Sequence, residues 1–260
     1  MDFKTVLYRE SEKIATIVLN RPDRRNAISY ELIADLLAAL KQAAESSSVH
    51  VVILTGAGPA FSSGMDMENL KQLIGRSDQQ NLKDSETMAG LFRALYDFPK
   101  PTIAAVNGPA LAGGAALATL CDFTLASPKA RFGYTEVKIG FVPGIVSSYL
   151  VSNVGEKRAR DLLLTGRIFA AEEARELGLV TEIVPPEKLL DRAQELGEQL
   201  LENSPASVRA TKALLSWFTK DQMDRQIGRA VKENAAIRQT ADFNEGITAF
   251  LEKRRPRWTS

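Results

Sequence analysis

Residues 101–122, PTIAAVNGPALAGGAALATLCD, constrain this chain more than any other stretch. An apolar run from Thr102 to Val106 stops at Asn107-Gly108-Pro109. Small residues with a Gly-Gly pair follow, before a helix-forming run that ends in Leu120 and Cys121. The order predicts a buried strand, a tight turn and a helix whose first turn carries no bulky side chain. The first amides of a helix lack intrahelical acceptors and sit at the positive end of its dipole. Gly113 and Gly114 therefore leave bare N–H donors where an anion or a developing oxyanion could rest. The same glycines also fit a mechanical role, letting helix and strand pack closely. The residues alone support either reading.

What the chain lacks narrows the chemistry. Among 260 residues there is one histidine, His50, and one cysteine, Cys121. A metal site or a His-based triad has almost nothing to work with, so acid–base chemistry falls to carboxylates, Tyr or Lys. His50, at a strand start, and Cys121, at the end of an apolar helix, read as structural. A net charge of +1, from 33 basic and 32 acidic residues, gives no field that gathers nucleic acid or membrane. The lone cysteine excludes an internal disulfide and fits a reducing compartment. No apolar run approaches the ~20 residues of a membrane span. Met1-Asp2-Phe3-Lys4 does not open like a signal peptide. A soluble, cytoplasmic protein is expected, with material for one large domain or one domain plus an appendage.

Taken in order, Ile14–Leu19 reads as a strand and Asn20–Asp23 as a turn. Ser29 is a candidate cap for a helix with Leu32, Ile33, Leu36, Leu37 and Leu40 on one face. Ser46–Ser48 ends that helix, and Val49–Thr55 is a buried strand closing at Gly56–Pro59, which completes a β–α–β pattern. Phe61–Asp66, FSSGMD, precedes a helix from Met67 to Leu73, giving a second place where small residues leave a bare donor. Gly75–Asp84 is polar and unpatterned, and reads as a mobile loop. Met88, Leu91, Phe92 and Leu95 mark the helix that leads into the opening stretch.

Beyond Asp122, Phe123–Ala126 and Arg131–Tyr134 read as short strands and Thr135–Gly144 as a loop. Glu136 stands there among apolar neighbours, a setting that raises a carboxylate pKa by desolvation; a solvated loop carboxylate is the plainer reading. Helical patterns cover Lys157–Leu164, Ala171–Leu177 and Glu187–Leu201, with a strand at Val180–Val184. From Ser204-Pro205 onward the signals are helical only: one helix capped by Ser204, a second capped by Asp221, and a third from Asp242. A boundary near residue 200 is expected, with an α/β body over 1–200 and a helical region over 201–260. Lys253, Arg254, Arg255 and Arg257 form a basic cluster, either a solvated end or a phosphate site.

These pieces together resemble the crotonase superfamily, the enoyl-CoA hydratase/isomerase family. The matching residues are Asn20-Arg21-Pro22 with Asn26-Ala27, Phe61–Asp66, Ala105–Gly108 with Ala112-Gly113-Gly114, Cys121-Asp122, and Phe132-Gly133 with Glu136, Gly140 and Pro143. Ala174–Val184 and Glu245-Gly246 with Phe250–Arg254 also fit, so the match covers nearly the whole chain. The resemblance implies a spiral of ββα units with a C-terminal helical region that builds trimers or hexamers. It implies an acyl-CoA thioester as substrate, with no cofactor beyond the coenzyme A that the substrate carries. By position, the N–H groups of Met65 and Gly113 would form an oxyanion hole, which agrees with the two bare donors read from the residues. Coenzyme A would lie against Arg24, Arg25 and Ala27 and the segment Ser63, Met65, Asp66, Met67 and Glu68. Phe250 and Lys253 would reach its nucleotide end.

The acid–base groups depart from the family pattern. Hydratases of the family use two glutamates, one three residues after the oxyanion glycine and one in the loop after the Phe-Gly strand. Counting from Gly113 lands on Ala116, so only Glu136 remains. Water addition with Glu136 as the acid and base, helped by Tyr134 or Tyr149, is the leading expectation. A 3,2-enoyl-CoA isomerase working with Glu136 alone is the alternative. Gly144–Tyr149 also departs from the family's glycine-rich run, which implies a different wall around the acyl group. A non-catalytic acyl-CoA or RNA-binding descendant is the competing class. The retained Glu136, the two donor sites and the absence of a broad basic face argue against it. Asp66 and Asp122 fit capping or turn roles better than catalysis.

Overall fold

The computed structural model describes residues 3–259. A hairpin opens the chain, with β1 (Val6–Ser11) antiparallel to β2 (Ile14–Leu19). Helix α1 (Tyr30–Glu45) follows, capped by Ser29, whose hydroxyl accepts from the Leu32 N–H at 3.1 Å. Its face of Leu32, Ile33, Leu36 and Leu40 is buried. Strand β3 (Val51–Gly56) runs parallel to β2. Helices α2 (Met67–Leu73) and α3 (Asp78–Tyr96) lead to β4 (Thr102–Val106), and then come β5 (Ala110–Leu111) and α4 (Gly113–Thr119). Strands β6 (Phe123–Ala126) and β7 (Arg131–Gly133) precede helices α5 (Gly144–Val154) and α6 (Glu156–Thr165). Strand β8 (Ile168–Ala170), helix α7 (Ala171–Glu176) and strand β9 (Glu182–Ile183) finish the α/β body. Helices α8 (Leu189–Leu201), α9 (Pro205–Ala236) and α10 (Ala241–Leu251) close the chain.

One sheet has the order β1-β2-β3-β4-β6-β9, parallel from β2 onward, and a second has the order β5-β7-β8. The large sheet is covered on both faces. On β3, Val52 and Leu54 enter the main core with α1 and α3. Val51 and Ile53 join a second cluster with Leu189 and Ala193 of α8. Strand β4 divides the same way, Ala104 and Val106 against Ile103 and Ala105. A strand's side chains alternate between faces, so a strand buried on both reads as an unbroken apolar run. That is why both segments stand out in the sequence.

Three expectations need correction. Gly75–Asp84 is no loop beyond its first residues, because α3 begins at Asp78 behind a capping box of Ser77 and Gln80. The face that α3 buries there is polar, with Asn81, Asp84 and Ser85, so no apolar period announces it. Asp221 does not cap a new helix. It is exposed in the middle of α9, which runs unbroken for 32 residues. The third concerns Thr135–Gly144, expected as a loop: Glu136–Ile139 winds into a single 3-10 turn, and Gly144 begins α5. Helix α9 has two unlike halves. Met223, Ile227, Ala230 and Val231 join the main core, whereas Leu214, Leu215, Trp217 and Phe218 are exposed.

Candidate active site

The Gly113 end of α4 is held by backbone alone. Its cap, Ala112, sits at φ 49° with no side-chain hydrogen bond, a conformation that costs a non-glycine residue energy. Ala112 N–H donates to the Gly133 carbonyl at 2.7 Å, which pins the turn to β7. The two glycines differ in their surroundings. A Cβ on Gly114 would lie 2.3 Å from the Ser62 carbonyl oxygen, so Gly114 is the close-packing residue. Gly113 faces a cavity.

Met65 reaches that cavity from the other loop. Ser62 C=O accepts from the Leu111 N–H at 2.9 Å, which ties the FSSGMD segment to β5. Gly64 C=O accepts from the Ile28 N–H at 2.7 Å, and the Asp66 N–H donates to the Ile28 carbonyl at 3.0 Å. This one-residue bridge uses the amides on either side of Met65 and spends neither donor nor acceptor of Met65 itself.

Glu136 enters the same cavity from its single turn. It is 8% exposed, and its Oε2 has no hydrogen-bond partner among the described residues. Burial pushes its pKa from 4.5 up to about 7, with a backbone hydrogen bond pulling weakly the other way. The turn is fixed by the Phe141 N–H donating to the Glu136 carbonyl at 3.0 Å. Gly140, at φ 67°, ends it; a Cβ there would lie 2.3 Å from the Asp242 carbonyl oxygen of α10. The cavity, about 130 Å³, is walled mostly by apolar side chains such as Phe92, Ile139, Phe141, Val142 and Ile145, with Ser63, Thr135 and Asn234 as its other polar side chains. Glu136 is the one carboxylate lining it. A carboxylate poised near neutrality can both take and return a proton.

Of the residues singled out in the sequence, Ser63, Met65, Gly113, Glu136 and Phe250 line this one cavity. Ala27 is buried beside it in sequence with Ile28, which also lines it. Arg24, Arg25, Met67, Glu68 and Lys253 are exposed and lie outside its lining. The Arg25 carbonyl accepts from the Ser63 N–H at 3.0 Å, so the arginine turn is tied to the donor loop. Asp66 caps α2, accepting from the Glu68 N–H at 2.9 Å, and pairs with Arg21 at 2.8 Å. Asp122 likewise accepts from Thr102 and from Lys212. Ala116 is buried within α4 and does not line the cavity. Tyr134 and Tyr149 do not either, so help for Glu136 from these phenols has no support: both are buried away from the lining, Tyr134 beside the Thr119 hydroxyl at 3.2 Å. Within the basic tail, Arg254 is engaged by Glu245 and Glu252, each at 2.6 Å.

Sequence reading missed the part of the wall made by Phe141, Val142 and Asn234. Asn234 carried one available signal, a polar residue on the same helical face as Ile227 and Val231. Among the described residues no group of three or more His, Cys, Asp or Glu side chains could hold a metal ion, and no helix is long and apolar enough to cross a membrane.

A layered α/β body with a long C-terminal helix, and a cavity lined by Met65, Gly113 and the buried Glu136, make up a crotonase-type fold. The family model for enoyl-CoA hydratase/isomerase matches residues 9–260, and the chain belongs to that family. It is 47% identical over 249 residues to a putative enoyl-CoA hydratase of Thermus thermophilus, covering 96% of this chain and 98% of that protein. It is 32% identical to a crotonyl-CoA hydratase of Syntrophomonas wolfei, over the full length of both. Among solved structures, an enoyl-CoA hydratase/isomerase from Xanthobacter autotrophicus superimposes with a TM-score of 0.90 at 31% identity, again over the full length of both chains.

Proposed function

We propose that the chain is an enoyl-CoA hydratase that works with one carboxylate. The observation that carries this is Glu136, buried with its Oε2 unpartnered among the described residues, in the cavity that Met65 and Gly113 also line. The thioester oxygen sits between the Met65 and Gly113 amides. Ionised Glu136 takes a proton from water while the water oxygen bonds to Cβ. The π electrons move toward Cα and the thioester oxygen, giving an enolate, and Glu136 returns the proton to Cα. Water has been added and Glu136 is ionised again. One preorganised donor to such an oxyanion is worth ~3–4 kcal/mol. No cofactor is required beyond the coenzyme A of the substrate.

Ala116 favours a second reading, because dividing OH and H delivery suits two carboxylates and this cavity has one. In a 3,2-enoyl-CoA isomerase, Glu136 removes a proton from C2 of a 3-enoyl thioester and returns it at C4, through a dienolate whose oxygen rests at the same pair of amides. Separate incubations with 2-enoyl-CoA and 3-enoyl-CoA, followed by absorbance of the conjugated thioester, discriminate. Loss of conjugation from the first supports the hydratase, and gain from the second alone supports the isomerase. Neither, with coenzyme A binding retained, supports a non-catalytic relative.

Coenzyme A, in this reading, follows Arg24, Arg25 and Ala27 and the Ser63–Glu68 segment, with Phe250 and Lys253 toward its nucleotide. Residues 201–260 serve assembly into a homotrimer or a hexamer, which the exposed Leu214, Leu215, Trp217 and Phe218 of α9 support. The solution mass of the wild-type protein and of Trp217→Glu checks this, with a smaller particle expected for the variant.

A further inference from the structure

Against the cavity, through Asn234, lies a buried polar cluster that the proposed reaction does not use. Asp84 and Ser85 of α3 meet Asn234 near the end of α9 and Arg238 in the single turn that follows. Arg238, 4% exposed, donates from Nη1 to Asp84 Oδ2 at 2.7 Å. Its Nη2 donates to Ser85 Oγ at 3.1 Å and to Asn234 Oδ1 at 2.9 Å. Ser85 Oγ donates to Asn234 Oδ1 at 2.8 Å, and the other oxygen of Asp84 accepts from the Tyr30 hydroxyl and, at 3.3 Å, from Arg76.

This cluster is part of the cavity wall. Asn234 lines the cavity, and its Nδ2 donates to the Val142 carbonyl at 3.0 Å. The Arg238 guanidinium lies over the Phe141 ring, 5.2 Å from its centroid. Phe141 and Val142 form one wall, and Met88 and Phe92 of α3 form part of another. Met88 follows Asp84 by one helical turn and Phe92 follows Ser85 by two, so cluster and lining share a face of α3. One ion pair therefore joins α3 to the end of α9, and Arg238 and Asn234 hold the Phe141–Val142 wall to it. Apolar side chains of similar volume would join two helices without the desolvation penalty, so stability alone does not call for this arrangement. What hydrogen bonds add is a fixed geometry. The cavity so fixed is about 130 Å³, below the ~300 Å³ at which ligand pockets usually begin.

We infer that Arg238 and Asn234 are positioning residues that lock the Phe141–Val142 wall toward α3, keep the acyl end of the cavity short, and so make the site select short-chain acyl thioesters. The inference rests on the acyl-CoA reading above. Its test compares four-carbon with twelve-carbon substrates in wild type, Arg238→Met, Arg238→Lys and Ser85→Ala. The readouts are kcat/KM for the 2-enoyl-CoA esters and calorimetric Kd for the saturated ones. The wild-type protein is expected to favour the four-carbon ester by about tenfold or more, since even one methylene changes discrimination by about tenfold and these chains differ by eight carbons. Arg238→Met should bring that ratio near one, mainly through KM, with Arg238→Lys restoring part of it and Ser85→Ala moving it less. If Arg238→Met does not fold, Asp84→Asn/Arg238→Met removes both buried charges and takes its place. A common factor of loss for both chain lengths, or a wild-type preference for twelve carbons, overturns the inference. A wild-type protein that binds neither ester overturns the acyl-CoA reading itself.

Discussion

The two sides of the cavity are built from different materials. On the Met65–Gly113 side the proposed working groups are main-chain amides, in segments placed by a bridge to Ile28, a strained Ala112 and the contact of Gly114 with Ser62. On the Glu136 side there is one carboxylate, and its surroundings set its state. A backbone donor depends on where the chain runs and little on which side chain it carries. A carboxylate depends on its own atoms and on the dryness around it. The first side should therefore respond to substitutions that move the main chain, and the second to any change of the acid itself.

The largest effect is expected from Glu136→Gln, which keeps the shape and removes the proton carrier. Initial rates on the turned-over enoyl-CoA should fall about 10²–10⁴-fold in kcat, with KM little changed. The same variant sharpens the contrast through stability. The folded carboxyl keeps its proton up to about pH 7, whereas the unfolded one loses it near 4.5. Between those values the unfolded chain binds fewer protons, so wild-type stability is greatest below the lower value and falls as pH rises through the upper. Urea titrations should show roughly 3 kcal/mol of loss across that window in the wild type and little in Glu136→Gln.

Gly114→Ala probes the other side. Its methyl would meet the Ser62 carbonyl at 2.3 Å, so α4 must shift. About 1–3 kcal/mol of stability should be lost by chemical denaturation, together with activity as the Gly113 amide moves. Met65→Ala should matter least, within about a few-fold in kcat/KM, because it leaves the amide in place. A loss as large as that of Glu136→Gln would break the contrast and make the Met65 side chain a reacting-site group.

The same division explains what the sequence revealed. The 101–122 stretch was legible because a doubly buried strand and a helix start made of glycines leave strong local marks. The burial of Glu136 was only half legible: its chain neighbours left a solvated loop carboxylate as the plainer reading, and the family resemblance singled it out. The start of α3 and the Arg238 cluster were not legible. Their buried face is polar, and Arg238 meets Asp84 across 154 residues, a pairing that no local period encodes. The unbroken α9 was misread at Asp221 for the opposite reason: an Asp suited to capping also stands at ease on an exposed helix face. Gly113 and Ala116 lie on one short helix, and the structure separates them, the first facing the cavity and the second packed away from its lining.

The pH dependence of kcat/KM tests the role of Glu136 most directly. With the ionised carboxylate as the only proton acceptor, the wild-type rate should rise through a single limb with its midpoint near 7, and the residual rate of Glu136→Gln should lack that limb. A flat wild-type profile across this range, or a limb that survives in Glu136→Gln, would contradict the assignment.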